Sequence, residues 1–200
     1  MITVGLTGSI GMGKSTVLSM FAGEGAVTWN ADDAVHRLYA KGGAGTKMVA
    51  TRFPAAIAGD AVDRAVLSAL VIDEPSALAD LEMLIHPLVS ADRARFLDDA
   101  ARAGVDIAVL DIPLLFEKGL EKYFDAVVVV SAPADIQRAR VMARTGMSER
   151  KFRAILMKQT PDAEKRRRAD YVVNTGASIE STRKEVRAVM RDLRTRFFPT

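Results

Sequence analysis

Short apolar runs alternate along the chain with longer stretches whose apolar residues recur every three or four positions. Residues 2–6 (ITVGL), 26–29 (AVTW), 106–110 (DIAVL), 125–130 (DAVVVV) and 170–173 (DYVV) are short and rich in valine and isoleucine. They predict buried strands. The stretches between them predict helices. One covers residues 14–21, directly after the first strand. Pro75 opens another, and proline suits a first helical turn. Residues 88–103 predict a long helix stopped at Gly104. Pro87 predicts a break just before it, with His86 left at the break. Pro133 opens a further helix, and Val186, Val189, Met190 and Leu193 form one apolar stripe at helical spacing near the C-terminus. No internal repeat or low-complexity tract interrupts this pattern.

Strands separated by helices predict an α/β fold: a five-stranded parallel sheet with helices on both faces. Ligands of such sheets bind beyond the carboxyl ends of the strands. The chemistry is therefore expected just after residues 6, 29, 110 and 130. Residues 34–104 are too many for one crossover and predict a helical bulge beside the sheet, large enough to hold a second substrate.

Composition narrows the class only in part. Hydrophobic residues make up 49% and charged residues 26%, enough apolar mass for a core. The net charge of +3 suits a polyanionic small molecule or nucleic acid and decides neither. The chain has no cysteine, which excludes disulfides, thiolate metal sites and cysteine nucleophiles and fits a reducing compartment. Met1 runs straight into a strand, so no signal peptide is expected. The longest aliphatic run, residues 126–130, is far short of a membrane span. The expectation is a soluble cytoplasmic protein with no membrane partner.

The first strand hands over to "GSIGMGKST" at residues 8–16. Gly8, Gly13, Lys14 and Ser15 fit the phosphate-binding pattern G-x-x-x-x-G-K-[ST]. The glycines let the backbone curl so that N–H groups face an anion, and the positive end of the following helix faces the same place. Lys14 would reach the outer phosphates and the Ser15 hydroxyl would bind Mg²⁺. With the strand and helix around it, the loop predicts a three-layer P-loop NTPase fold binding a nucleoside triphosphate, without saying what is done with it.

Other residues fall at the same sheet edge. Asp32 and Asp33 follow the second strand, where a carboxylate either accepts a proton from an attacking hydroxyl or stabilises a helix N-terminus. Asp111 ends the third strand and either helps hold Mg²⁺ or closes a core strand; Pro113, Leu114, Leu115 and Phe116 then leave an apolar patch. Residues 138–168 hold eleven Lys or Arg against three acids. Most of that run reads as a solvated basic face. Arg140 and Arg144, four apart, share a helix face from which an arginine could meet the transferred group. His86 and His36 each read as core, capping or functional groups. Asn174 follows the fifth strand and either bonds a base or makes an Asx-turn.

Together "GLTGSIGMGKST", "NADDAVHR", "IHPLV", "DIPLLFE" and "ADYVVNTG", in this order and at these spacings, resemble the dephospho-CoA kinase family over about residues 3–176. The phosphate loop alone is widespread; the "HP" and "IPLLFE" elements beside it are far more specific. The resemblance implies transfer of the ATP γ-phosphoryl group to the ribose 3′-hydroxyl of dephospho-CoA, with ATP and Mg²⁺ as cofactors. It implies a single kinase domain with a core at residues 1–33, 105–135 and 168–200, a helical substrate-binding segment at about 34–104 and a lid at about 136–167. It places Gly11, Met12, Gly13, Lys14, Ser15 and Thr16 on ATP, Asn174 on adenine, and Lys14, Asp32 and Arg140 in catalysis. Thr7, Asp32, His86, Leu114 and Leu115 would meet the acceptor. The chain departs from the family in having Ser9 where a glycine is common, Met12 where a serine is common, and Asn30 where the first acid of an Asp-Ala-Asp usually stands.

Two other classes are disfavoured. A switch GTPase normally carries Asn-Lys-x-Asp, and no such string occurs. A nucleic-acid ATPase would interleave aromatics with its basic residues, and residues 138–168 contain only Phe152. Another kinase of this fold, acting on a nucleotide or sugar acid, is the remaining alternative. The sequence leaves the oligomeric state open.

Overall fold

The computed structural model describes residues 1–199. The elements that position the site are strands β1 (Ile2–Thr7), β2 (Val27–Asn30), β5 (Ile107–Asp111), β6 (Ala126–Ser131) and β7 (Tyr171–Asn174). They form one sheet in the order β2-β5-β1-β6-β7. The β5–β1, β1–β6 and β6–β7 ladders are parallel. Each strand sits within about a residue of its predicted place, because a strand buried on both faces reads as an unbroken apolar run that marks its position in the chain.

Val4, Leu6, Val109, Val128 and Val130 point to one face of the sheet. There they pack with Val17 and Phe21 of helix α1 (Lys14–Gly23) and with Val186, Met190 and Leu193 of helix α9 (Ile179–Phe197). The opposite face, including Ala108, Leu110, Val127 and Val129, is buried as well. There the absent side chain of Gly5 leaves room for Leu115: a Cβ at Gly5 would lie 2.6 Å from Leu115 Cδ1.

The chain divides into two compact units, residues 1–28 with 100–200 and residues 29–99. The second unit has its own core, with Leu38, Val49, Phe53, Leu67 and Val71 among its buried residues. It holds helices α2 (Ala31–Tyr39), α3 (Ala44–Arg52) and α4 (Arg64–Val71), and most of α5 (Pro75–Arg102). A two-residue hairpin, β3 (Ile57–Ala58) with β4 (Ala61–Val62), joins them; nothing in the apolar pattern foretold it.

The predicted break at Pro87 does not occur: α5 is one helix of 28 residues with Pro87 inside it. An interior proline costs about 3 kcal/mol through its lost N–H bond and ring clash. Against this, Leu84 and Ile85 before it and Leu88 and Val89 after it pack on the same core. A break would remove one pair from that core, so packing on both sides of the proline outweighs the local rule.

The first unit also contains α6 (Ala134–Met142), α7 (Glu149–Met157) and α8 (Asp162–Arg168), which lie between β6 and β7 in the chain.

Candidate active site

Three carbonyls of the loop between Thr7 and Lys14 are held by side chains. Lys14 Nζ donates to Gly8 O at 3.2 Å, Gln137 Nε2 to Ile10 O at 2.8 Å, and Thr175 Oγ1 to Met12 O at 2.7 Å. Ile10 O and Met12 O are thus held by other segments of the chain, and Met12 N donates to Ser9 O at 3.2 Å within the loop. A curled loop of this kind, with N–H groups of successive residues on its concave side, binds anions. Gly13 sits at the N-terminus of α1 with φ 87° and ψ 23°, a left-handed conformation that only glycine adopts freely. No side chain caps this helix, so its first N–H groups face the same space. Gly11 has φ 79°, and a Cβ there would lie 2.5 Å from Val141 Cγ2, so α6 presses directly on the loop. Met12 is buried and its Sδ accepts from Ala132 N at 3.2 Å. Its side chain anchors the loop to the end of β6, which gives a large residue a role at a position expected to act through its backbone.

Strand register brings Thr7, Asp111 and Asn174 to one edge of the sheet: Leu6 pairs with Asp111, Thr7 with Val129, and Ser131 with Asn174. Thr7 is buried, its Oγ1 3.4 Å from Pro113 O. Leu114 is exposed, whereas Leu115 is fully buried against Gly5. Of these two leucines, then, only Leu114 presents its side chain at the surface.

A cavity of about 390 Å³ opens beside the loop, with Met12, Ala132, Pro133, Gln137, Arg166 and Asn174 in its wall. Asn174 Oδ1 accepts from Gly176 N at 2.8 Å, the Asx-turn weighed from sequence. The turn occupies its carbonyl and leaves its NH₂ for a ligand. Arg140 donates to Thr175 Oγ1 at 2.9 Å and to Thr175 O at 2.7 Å. It therefore acts on the phosphate loop through Thr175, which holds Met12 O.

Most of the basic run is exposed, as expected, with half-buried Arg140 and buried Lys165 the exceptions. Arg138 and Arg153 both pair with Glu149. Arg168 pairs with Glu121 and stacks on Phe116, 4.5 Å from the ring centre. Lys165 is fully buried, its Nζ 2.8 Å from Glu117 Oε1. The same Glu117 oxygen accepts from Thr160 N at 2.7 Å. Burial pushes the Glu117 carboxyl up, but the hydrogen bonds from Lys165 and Thr160 and the Lys165 charge together hold it below the ordinary glutamate value. Beside Thr160, Gln159 Oε1 accepts from Ile10 N at 3.1 Å.

The residues of the second unit resolve the two adjacent aspartates. Asn30 caps α2 by accepting from Asp33 N at 2.7 Å, and Asn30 Nδ2 donates back to the Asp33 carboxylate. This reciprocal cap engages Asp33. Asparagine caps as well as aspartate does, which accounts for the departure at position 30. Asp32, next door, is exposed, and its carboxylate makes no hydrogen bond or ion pair with any described residue. The helix carrying it is tied to α5 by Asp92, whose Oδ1 accepts from Trp29 Nε1 at 2.8 Å and from Arg37 at 2.7 Å. Burial raises the Asp92 carboxyl, but those two bonds and the charges of Arg37 and Arg95 bring it below the usual range. His86 is exposed on α5.

Sequence reasoning missed Gln137, Gln159, Thr175, Asp92 and the Glu117–Lys165 pair. Only Glu117 and Thr175 lay inside quoted stretches, and neither was singled out there; all of them act through partners distant in the chain and carry no local signal.

Comparison with known proteins adds three findings. A sequence model described as dephospho-CoA kinase matches residues 2–181. A curated dephospho-CoA kinase of Mesorhizobium japonicum is 53% identical over 194 residues, covering 97% of this chain and 98% of the relative. Among solved structures, a Thermus thermophilus protein is 34% identical with a TM-score of 0.76, covering 96% of this chain and 97% of that one. A dephospho-CoA kinase from Campylobacter jejuni shares the fold at 23% identity and a TM-score of 0.70, covering 96% of each chain.

Proposed function

Because the chain belongs to the dephospho-CoA kinase family, whose members use ATP to phosphorylate dephospho-CoA, we propose a division of roles among its residues for that reaction. The observation that carries it is the loop at residues 8–16, three of whose carbonyls accept hydrogen bonds from Lys14, Gln137 and Thr175. Gly11 to Thr16 receive the ATP phosphates through backbone N–H groups, with the Lys14 ammonium on the outer phosphates. Asn174 offers its NH₂ to the adenine in the adjoining cavity, whose wall of proline, alanine and methionine side chains suits a flat base.

Asp32 accepts the proton of the attacking 3′-hydroxyl. Its support is chemical: an exposed carboxylate with no partner is ready to accept, whereas Asp33 is committed to a cap. The γ-phosphoryl group passes to that hydroxyl oxygen as its bond to the ADP oxygen breaks, and the proton is held on Asp32. Lys14 and the loop N–H groups offset the charge left on ADP. Thr7, His86, Leu114 and Leu115 belong to the acceptor side, Leu115 by shaping the turn that presents Leu114.

Mg²⁺ suits hard oxygen donors, and the exposed Ser15 hydroxyl and the Asp111 carboxylate supply two. When bound it would neutralise phosphate charge. No cluster of three or more His, Cys, Asp or Glu able to hold a metal occurs among the described residues. We assign the core to residues 1–33, 105–135 and 168–200, the acceptor segment to about 34–104 and the lid to about 136–167; Thr200 lies outside the described residues. No helix among the described residues is long and apolar enough to cross a membrane. A sequence without cysteine supports a cytoplasmic setting.

With Mg²⁺ and ATP, the purified protein should form ADP only when a hydroxyl acceptor is present. A panel of dephospho-CoA, nucleoside monophosphates and shikimate tests this: turnover should occur with dephospho-CoA alone. Turnover with a nucleotide and none with dephospho-CoA would overturn the assignment. Arg140→Ala should lower turnover more than it weakens ATP binding, because the loop loses the support of Thr175 where transition-state charge builds. The opposite pattern in kcat and the ATP dissociation constant would make Arg140 a ground-state binding residue only.

A further inference from the structure

The phosphate loop has few side chains able to hold it in place. Its Ile10 is gripped from both sides by glutamines of distant segments: Gln137 Nε2 donates to Ile10 O at 2.8 Å, and Gln159 Oε1 accepts from Ile10 N at 3.1 Å. A trans peptide places its C=O and the following N–H antiparallel. Fixing Ile10 O outward therefore aims the Gly11 N–H the opposite way, into the cradle. Fixing Ile10 N–H sets the plane of the preceding peptide, Ser9–Ile10.

The two glutamines have different supports. Gln137 is buried on α6, one turn from Arg140, so its grip belongs to the rigid wall behind the loop. Gln159 lies between α7 and α8. Its place is set by its neighbour Thr160, whose N–H is held by Glu117, the same carboxylate that meets buried Lys165. Any movement of this segment withdraws the acceptor from Ile10 N–H.

We propose that Gln159 is a positioning residue that orders the phosphate loop and makes its order depend on where the segment between α7 and α8 sits. The proposal rests on the assignment of residues 11–16 to the ATP phosphates. Ile10 N–H is not one of the donors so assigned; it serves to hold the loop in place.

The test uses the full chain, with Gln159→Leu, which removes the acceptor, and Gln159→Glu, which keeps an acceptor oxygen at the same reach. Without nucleotide, Ile10 amide exchange followed by NMR should quicken by about tenfold or more in Gln159→Leu and stay slow in Gln159→Glu. The KM for ATP of Gln159→Leu should rise by about five- to thirtyfold, with the KM for dephospho-CoA and the melting temperature unchanged. Unchanged Ile10 exchange in Gln159→Leu would overturn the proposal. So would an equal rise in both KM values, which marks a general structural role. If ADP failed to shift amides 11–16 of the unmodified protein, the phosphate assignment would fall, and the exchange measurement, made without nucleotide, would still decide whether Gln159 orders the loop.

Discussion

Asp32→Asn should bind ATP as tightly as the unmodified protein and turn over about two to four orders of magnitude more slowly, the scale of a lost general base. The substitution is nearly isosteric. It leaves the α2 cap intact, because that cap is made by Asn30 and Asp33. The helix would lose only a favourable dipole interaction of about 0.3–1 kcal/mol at an exposed site. Melting temperature and ATP affinity thus serve as internal controls, and the rate is the readout. Steady-state kinetics with saturating ATP and dephospho-CoA would measure it. A turnover within threefold of the unmodified enzyme would reduce Asp32 to a helix-terminus residue and leave the acceptor proton without an assigned base.

The second large effect concerns folding. Glu117→Leu should destabilise the protein by about 3–5 kcal/mol, since it strands the charge of Lys165 in the interior. For a chain of this length that corresponds to a fall of about 6–20 °C in melting temperature. Lys165 is 0% exposed and Glu117 is 13% exposed in their side chains, so water cannot replace the lost partner. The double variant Glu117→Leu/Lys165→Met should recover most of the loss, because an apolar pair needs no compensation. If the double variant were as unstable as the single one, the pair would be holding Thr160 and its segment in place and the buried charge would not be the cause. The pH dependence has a definite sign. The folded Glu117 carboxyl titrates below its unfolded value. Its contribution is full above the unfolded value and is lost as pH falls through the folded one. Thermal melts of the unmodified protein and Glu117→Leu should accordingly differ most near neutrality and converge in acid.

Legibility from sequence followed the range of the interactions. The phosphate loop was readable because strand, glycine pattern, lysine and helix lie within fifteen residues or so of one another and act through the backbone. The strands were readable because their burial leaves an unbroken apolar run. Asp32 and Asp33 looked alike on the page; only the reciprocal bond between Asn30 and Asp33 separates a cap from an available carboxylate. Lys165 was indistinguishable from ten basic neighbours because its burial is decided by Glu117, in a different stretch of chain. Pro87 misled for the opposite reason: a strong local rule lost to apolar contacts on both sides. Gln137 and Gln159 carry no motif at all, since any residue with an amide at the right distance could do what they do.

The discontinuity of the first unit bears on how the chain is made. β1 is translated well before its sheet neighbours at residues 107–111 and 126–131. Residues 29–99, contiguous and with their own core, have all their partners available well before then. Synthesis therefore favours completing the contiguous unit at residues 29–99 first, while the apolar strand β1 waits for partners not yet translated. Such a strand is open to wrong pairing for that interval. The hydrated stretch at residues 13–16, Gly-Lys-Ser-Thr, follows closely behind it and limits how far an incorrect ladder could extend.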